Sequence, residues 1–476
     1  MPTLPRWIGR CLWAAAFLVR LAHVYVAGGV GAVMEYDDGV HLGAAIRTLG
    51  GSLPYRDFEF VQPPGIVYLL SPFAGIAQVV GEPVAMHAAR IAVAALGATT
   101  AWLIYRTVAR VSPRAGLVAG SFYAASAAAV SAERTVMLEP VLAFCLVGCL
   151  YWLGDSRRSQ IASGALVGLA AVTKLWLLPI VPILIYEVWR RHGPRAATRW
   201  LTSGLVTGTV LTLPALLIAP SHFLEQVLGY QLGRGRVWQG WTYRLEYLGW
   251  FGTSPHSLEL FGHRGLAALG LVLLLASLLA LLSSEGRVWA VLTLATAAMV
   301  LAAPAFYYHY AAFVAAPQAV ALGYALTVVQ PSRVRSTVVT FAVGLCIVVP
   351  ALRLADTTHA STEQVDRLKA EIGSETCVWT SAASLAIALD RADTPCAGTL
   401  DSFAIIMADG KTGTDDDDYR RSHAFQDRIQ AEVPRAEVAV IALDDKRQWS
   451  QRTLDKLTEE FPVVERVGEF EVWRQH

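Results

Sequence analysis

IASGALVGLAAVTKLWLLPIVPILIYEVWRR, residues 161–191, carries no charge except Lys174, Glu187 and the closing Arg190 and Arg191. A bilayer takes about 20 apolar residues in one helix, so the stretch reads either as one helix or as two short ones, 161–173 and 175–189, turning at Lys174. The choice fixes the side of the membrane on which every later loop falls. With two helices, alternate loops collect Arg6 and Arg10, Arg106, Arg110 and Arg114, Arg157 and Arg158, Arg190, Arg191, Arg195 and Arg199, Arg287, and Arg333 and Arg335 on one side. The opposite short loops hold Arg134 and Lys174. Short cytoplasmic loops are enriched in Arg and Lys, which makes the Arg-rich side the cytoplasm. With one helix, the Arg190 cluster would face outward, so two helices are expected.

Working outward, further spans are expected at 11–27, 84–105, 115–132, 135–153, 201–219, 265–282, 288–303, 308–329 and 337–351. The composition agrees, with 54% of the 476 residues hydrophobic, 16% charged and a mean hydropathy of +0.44. The first span has no small-residue cleavage site behind it and is expected to be retained. The fold class expected is a polytopic α-helical membrane protein of about eleven transmembrane helices with a small C-terminal extracytoplasmic α/β domain. Residues 1–352 form the membrane domain, including outer loops 28–83 and 220–264, and 353–476 the outer domain. In that tail VWTSAASLAIALD predicts a strand and a helix, VAVIAL a second strand, and TLDKLTEEFPVVERVGEFEVW a helix and a hairpin. The abundance of Arg and Ala suggests a bacterial plasma membrane as the location. A net charge of +1 gives no sign of a nucleic-acid partner.

The charges that remain outside the cytoplasmic loops carry the chemistry. EYDDGVHLGAAIRTLGGSLPYRDFEFVQPPG, residues 35–65, places Glu35, Asp37, Asp38, Asp57 and Glu59 in the first outer loop, and the helical spacing of HLGAAI holds Asp37 and Asp38 at the membrane surface. Arg20 and Arg90 lie at the outer ends of the first two spans, where an ionisable side chain is either paired or lines a wet cavity. Both are expected to reach the acidic loop. Glu139, followed by Pro140, sits inside an apolar run. Lys174 stands at the outer turn, either snorkelling or beside a phosphate. The second loop interleaves Arg234, Arg236 and Arg244 with Trp238, Trp241, Tyr243, Tyr247 and Trp250, an interfacial belt or a lipid-phosphate entry. Tyr307, Tyr308, His309 and Tyr310 end the set with groups able to donate to an anion. The run from Asp415 to Asp418 is read as a solvated loop rather than a cation site. Cys377 and Cys396 fall in the tail, where a bridge between them is left open.

In their order and topological side these motifs resemble the GT-C superfamily of membrane glycosyltransferases, in particular the branch of protein O-mannosyltransferases and lipid A aminoarabinose transferases. The matching residues are Arg20, Asp37 and Asp38, the segment from Gly51 to Asp57, Pro63 and Pro64, Arg90, Glu139 with Pro140, GALVGLAAVTK ending at Lys174, and Tyr307 to Tyr310. The oligosaccharyltransferase signature WWD is absent, which points away from transfer of a preassembled oligosaccharide. The resemblance implies a GT-C-like fold and transfer of one sugar from a polyprenyl-phosphate donor to a protein, lipid or polysaccharide acceptor on the outer face. Asp37 is then the general base, placed by Asp38 and Arg20. Arg20, Arg90, Glu139, Lys174, Arg234, Arg236, Tyr308 and His309 are the expected substrate-binding residues. No cofactor is required with certainty, and a divalent cation stays open. A transporter or flippase for a lipid-linked sugar is the alternative, although such folds gather charge near the midplane and show internal repeats.

Overall fold

The computed structural model describes residues 5–237, 239–249, 255–329, 360–394, 396–413 and 415–475. The expected span 337–351 and the loop residues Trp238 and Trp250 lie outside the described residues. Among those described, Trp7–Val26, Glu82–Ala109, Pro194–Ile218, Ser257–Leu282 and Tyr308–Val328 are long and apolar enough to cross a membrane. Helix Pro194–Ile218 leaves Leu205, Val206, Val210 and Leu217 more than half exposed, a face that only a lipid solvent accommodates. Shorter apolar helices follow at Gly65–Val80, Glu139–Trp152 and Arg287–Ala302.

The 161–191 stretch breaks at Lys174. Helix Arg157–Thr173 ends there, Lys174 is extended (φ −152°, ψ 128°), and a 3-10 segment Leu175–Ile180 leads into helix Val181–His192. Pro179 and Pro182 each remove a backbone donor just beyond the break, so a continuous helix through it would lack rungs.

Two expectations change. The single span expected over 115–132 is two helices, Pro113–Ala124 and Ala127–Glu133, bent by 56°, because Ser126 is extended. The bend withdraws the Ala124 carbonyl from the helical ladder, and Arg20 Nη1 donates to it at 3.1 Å. The loop expected over 28–83 contains helices Tyr36–Leu49 and Gly65–Val80, the second too short for a span and interrupted by Pro72.

Backbone contacts divide the chain into two compact units, one of residues Met1–Val24, Ile91–Leu211 and Gln239–Asp356, the other of Tyr25–Arg90, Thr212–Trp238 and Thr357–His476. The tail therefore groups with the first loop and part of the second, which the linear division at 352 leaves with the helices. Its sheet has strands β1 (Val378–Thr380), β2 (Val438–Ala442), β3 (Val463–Val467) and β4 (Phe470–Arg474) in the order β1-β2-β4-β3. β1 and β2 run parallel, and the other pairs are antiparallel. Side chains alternate across a strand: Trp379, Ile441 and Trp473 bury one face with Trp449 and Phe461, while Val378, Val440 and Val472 bury the other with Leu368 and Leu385. Helix Tyr36–Leu49 docks on Ala383–Ala388 so closely that a Cβ on Gly39 would lie 2.0 Å from Ser384 N. That position excludes any other residue.

Cys377 and Cys396 are bridged, with Cα atoms 5.2 Å apart. The helix between them, Ala383–Ala388, is only six residues long, so the chain returns to the start of β1. Closing this loop stabilises the tail by about 3 kcal/mol through the unfolded chain. Cys377→Ser is expected to lower the tail's unfolding free energy by that amount in urea titrations with tail fluorescence as the probe. Two alkylatable thiols in protein purified without reductant would rule the bridge out.

Candidate active site

In the unit that contains the tail, helix Tyr36–Leu49 puts Asp37 and Asp38 in its first turn, where the helix dipole favours negative charge. The two carboxylates have different surroundings. Asp38 is fully buried and accepts from Arg90 Nε at 2.9 Å and from Nη2. Arg90 Nη1 donates to the carbonyls of Val30 at 2.6 Å and Ala32 at 2.8 Å, pinning the segment that enters the helix. Asp37, one residue earlier, is half-buried. Arg90 thus reaches the acidic loop as the sequence predicts, and its partner there is Asp38.

Tyr36 and Asp401 join this helix to the tail, and neither was singled out from the sequence. Tyr36 Oη donates to Asp401 Oδ1 at 3.0 Å and accepts from the Phe403 amide at 3.2 Å. Asp401 also caps helix Ser402–Ala408 through the Ala404 amide. Burial, with the Asp37 charge adding to it, pushes the Asp401 carboxyl up to about 7. Asp57 and Glu59 are structural in their contacts. Asp57 accepts from the Leu53 amide at 2.7 Å and pairs with Arg56 at 2.7 Å, contacts that hold its carboxyl down at about 2, the Arg56 hydrogen bond first. Glu59 pairs with Arg428 at 2.7 Å. Arg234 lies over the Phe403 ring at 5.0 Å, and Arg236 lines a pocket with Asp415, Asp416 and Asp418. Within that acidic run Asp418 Oδ2 accepts from Thr412 Oγ1 at 2.6 Å and from the Gly413 amide at 3.1 Å, fixing the turn.

In the other unit, Arg20 is buried and its Nε meets Glu133 Oε2 at 2.7 Å. Tyr123 Oη donates to the second Glu133 oxygen at 2.5 Å. The partner of Arg20 is therefore Glu133, not a carboxylate of the first loop as expected. Gly97 makes room for the pair, since a Cβ there would lie 2.4 Å from the Glu133 carboxyl carbon. A lone Glu in SAER, at the end of an apolar run, was the signal for Glu133.

Lys174 does not snorkel. It is buried and paired with Glu139 Oε1, and its ammonium lies 4.9 Å from the Trp176 ring and 4.6 Å from the Tyr310 ring. His309 Nε2 comes to 3.9 Å from the same Glu139 oxygen. His309 sits in the 3-10 turn Tyr308–Tyr310, its ring stacked on Tyr307 at 5.8 Å between centroids. One carboxylate thus faces two cationic or protonatable groups inside an aromatic box, and the cluster carries net positive charge when His309 is protonated. Arg244, grouped from the sequence with Arg234 and Arg236, is buried and donates to the Leu301 carbonyl at 2.7 Å and the Ala303 carbonyl at 2.8 Å. It closes the C-terminal end of helix Arg287–Ala302.

Residues 61–218 match the sequence family described as dolichyl-phosphate-mannose-protein mannosyltransferase. No curated protein matches the chain by sequence. Among solved structures, ArnT from Cupriavidus metallidurans bound to undecaprenyl phosphate superposes with a TM-score of 0.63 at 14% identity, over 98% of each chain. The oligosaccharyltransferase of Archaeoglobus fulgidus superposes with a TM-score of 0.58 at 11% identity, over 96% of this chain and 73% of that one. The mycobacterial arabinofuranosyltransferase AftD gives 0.50 at 14% identity, over 100% of this chain and 40% of that one. The chain therefore has the fold of the GT-C superfamily of membrane glycosyltransferases, and its residues 61–218 resemble that superfamily's mannosyltransferase branch.

Proposed function

We propose that the protein is an inverting glycosyltransferase that moves one sugar from a polyprenyl-phosphate donor to an acceptor hydroxyl on the outer face of the membrane. The observation that carries this reading is the unequal carboxylate pair: Asp38 is sealed against Arg90, while the adjacent Asp37 keeps solvent exposure at the start of the same helix. In the reaction the acceptor oxygen bonds to the anomeric carbon, the bond from that carbon to the phosphate oxygen breaks, and Asp37 takes the hydroxyl proton. The polyprenyl phosphate leaves with one more negative charge, which needs cations near it. Lys174 and His309 are the groups proposed for that role, and Glu139 orients both. The polyprenyl phosphate bound by ArnT, which shares the fold, supports the donor class. The Arg distribution and the disulfide of the tail, a bond that persists in oxidising compartments, support an outward-facing tail.

The test is release of polyprenyl phosphate by the purified protein in proteoliposomes supplied with polyprenyl-phosphate-linked hexoses and pentoses together with a hydroxyl-bearing peptide, a lipid and a glycan as acceptors. Protein-dependent release with at least one donor is expected, and none with any of them overturns the reading. In the same assay Lys174→Ala raises the donor KM about tenfold, the effect of losing one charge-assisted contact, and Lys174→Arg recovers part of it. An unchanged donor KM in both variants would remove Lys174 from the donor site.

A further inference from the structure

A cavity of about 70 Å³ opens in the tail, and its lining includes Trp379, Trp449, Ser381, Asp445 and Gln448. Its position follows from the sheet topology. Ser381 lies just beyond the end of β1 and Asp445 just beyond the end of β2, and these two strands are the parallel pair. In sheets with parallel strands, ligands settle at the carboxyl ends. The cavity holds about five waters at 10–15 Å³ each, roughly the space of one sugar ring.

The lining selects a class of ligand. The Trp379 and Trp449 rings, 6.0 Å apart and inclined at 62°, form an apolar corner. Ser381, Asp445 and Gln448 add hydroxyl, carboxylate and amide groups to the same lining, the pattern of an apolar site with a few placed polar groups. An anion is disfavoured: the cation of the lining, Arg428, already pairs with Glu59 at 2.7 Å and Glu432 at 3.5 Å, and Asp445 would repel it. A wholly apolar ligand would strand Asp445, hydrogen-bonded to Ser381 and pushed up to about 6 by burial, against a surface that offers it nothing. A neutral polyol with one C–H face matches both kinds of lining group. Tyr36 also lines the cavity, and Asp37 follows it in the chain.

We propose that this cavity binds a pyranose ring of the acceptor, which makes the acceptor a glycan. The word acceptor rests on the transferase reading; the saccharide site rests on the cavity alone. The test is a tryptophan-fluorescence titration of the full-length protein in nanodiscs with three probes: methyl α-D-glucopyranoside, methyl α-D-mannopyranoside and methyl β-D-galactopyranoside. A saturable change is expected with at least one, with affinity weakened about tenfold in Asp445→Ala, as for loss of a hydrogen bond to a charged group. Gln448→Ala is the second variant, and it keeps the test informative where Asp445→Ala fails to fold. No saturable change with any of the three glycosides overturns the proposal, as does unaltered affinity in the folded variants. Binding needs no turnover, so the titration is read without a donor present. A failed transfer assay leaves the titration standing, and a failed titration leaves transfer standing.

Discussion

Asp37→Asn loses sugar transfer by about a hundredfold or more, the loss that follows removal of a general base, while the protein inserts and melts as the wild type does. The amide keeps the shape of the carboxylate but cannot take the acceptor's proton. Asp38→Asn provides the contrast. Asp38 is buried and its partner Arg90 is 2% exposed, so neutralising Asp38 removes the paired charge from a buried guanidinium that retains the Val30 and Ala32 carbonyls. Removing one partner of a buried pair costs about 3–5 kcal/mol, so Asp38→Asn lowers the melting temperature first and activity as a consequence. Measuring kcat and thermal unfolding for both variants separates the roles. Transfer by Asp37→Asn within a few-fold of wild type would make Asp37 structural and pass the role of base to Asp38.

The parts of the architecture that were legible in the sequence are those set by local pattern. The break at Lys174 shows in the Arg count on either side of it. HLGAAI shows the helix that carries Asp37 and Asp38, and the tail's strands and hairpin show in VWT, VAVIA and VVERVGEFEVW. What escaped is set by distant partners. Tyr36 and Asp401 are 365 residues apart, and nothing near either one signals the other. Arg20 and Glu133 are 113 residues apart, and the bend at Ser126 that brings the Ala124 carbonyl to Arg20 interrupts a run whose composition is uniformly that of a span. Helix Gly65–Val80 is apolar but carries Pro72 inside it, and the sequence reading leaves it within the first outer loop. Of the candidate site, the residue types were legible while the pairing was not: Lys174 reads as a lone cation in sequence and is a partner of Glu139 in space.

Arg20→Ala destabilises the protein by about 3–5 kcal/mol, because it leaves the Glu133 carboxylate charged or neutralised without its cation in a site closed to water. Both side chains are essentially unexposed. Among the described residues the Glu133 oxygens would keep Tyr123 as donor, and the Ala124 carbonyl at the helix bend would lose the Nη1 donor. The double replacement Arg20→Met with Glu133→Leu behaves differently. It removes both desolvation costs together and substitutes apolar side chains of similar length, a change that is often neutral or stabilising. Thermal unfolding of the single and double variants in detergent measures the difference. A single variant within about 1 kcal/mol of wild type, the range of an exposed pair, would mean that water reaches the pair. The double variant also decides what Arg20 does. Wild-type transfer rates in a stable Arg20→Met, Glu133→Leu protein make Arg20 a residue of the fold alone. A stable protein that no longer transfers sugar assigns the Arg20 charge to the substrate, the role expected for it from the sequence.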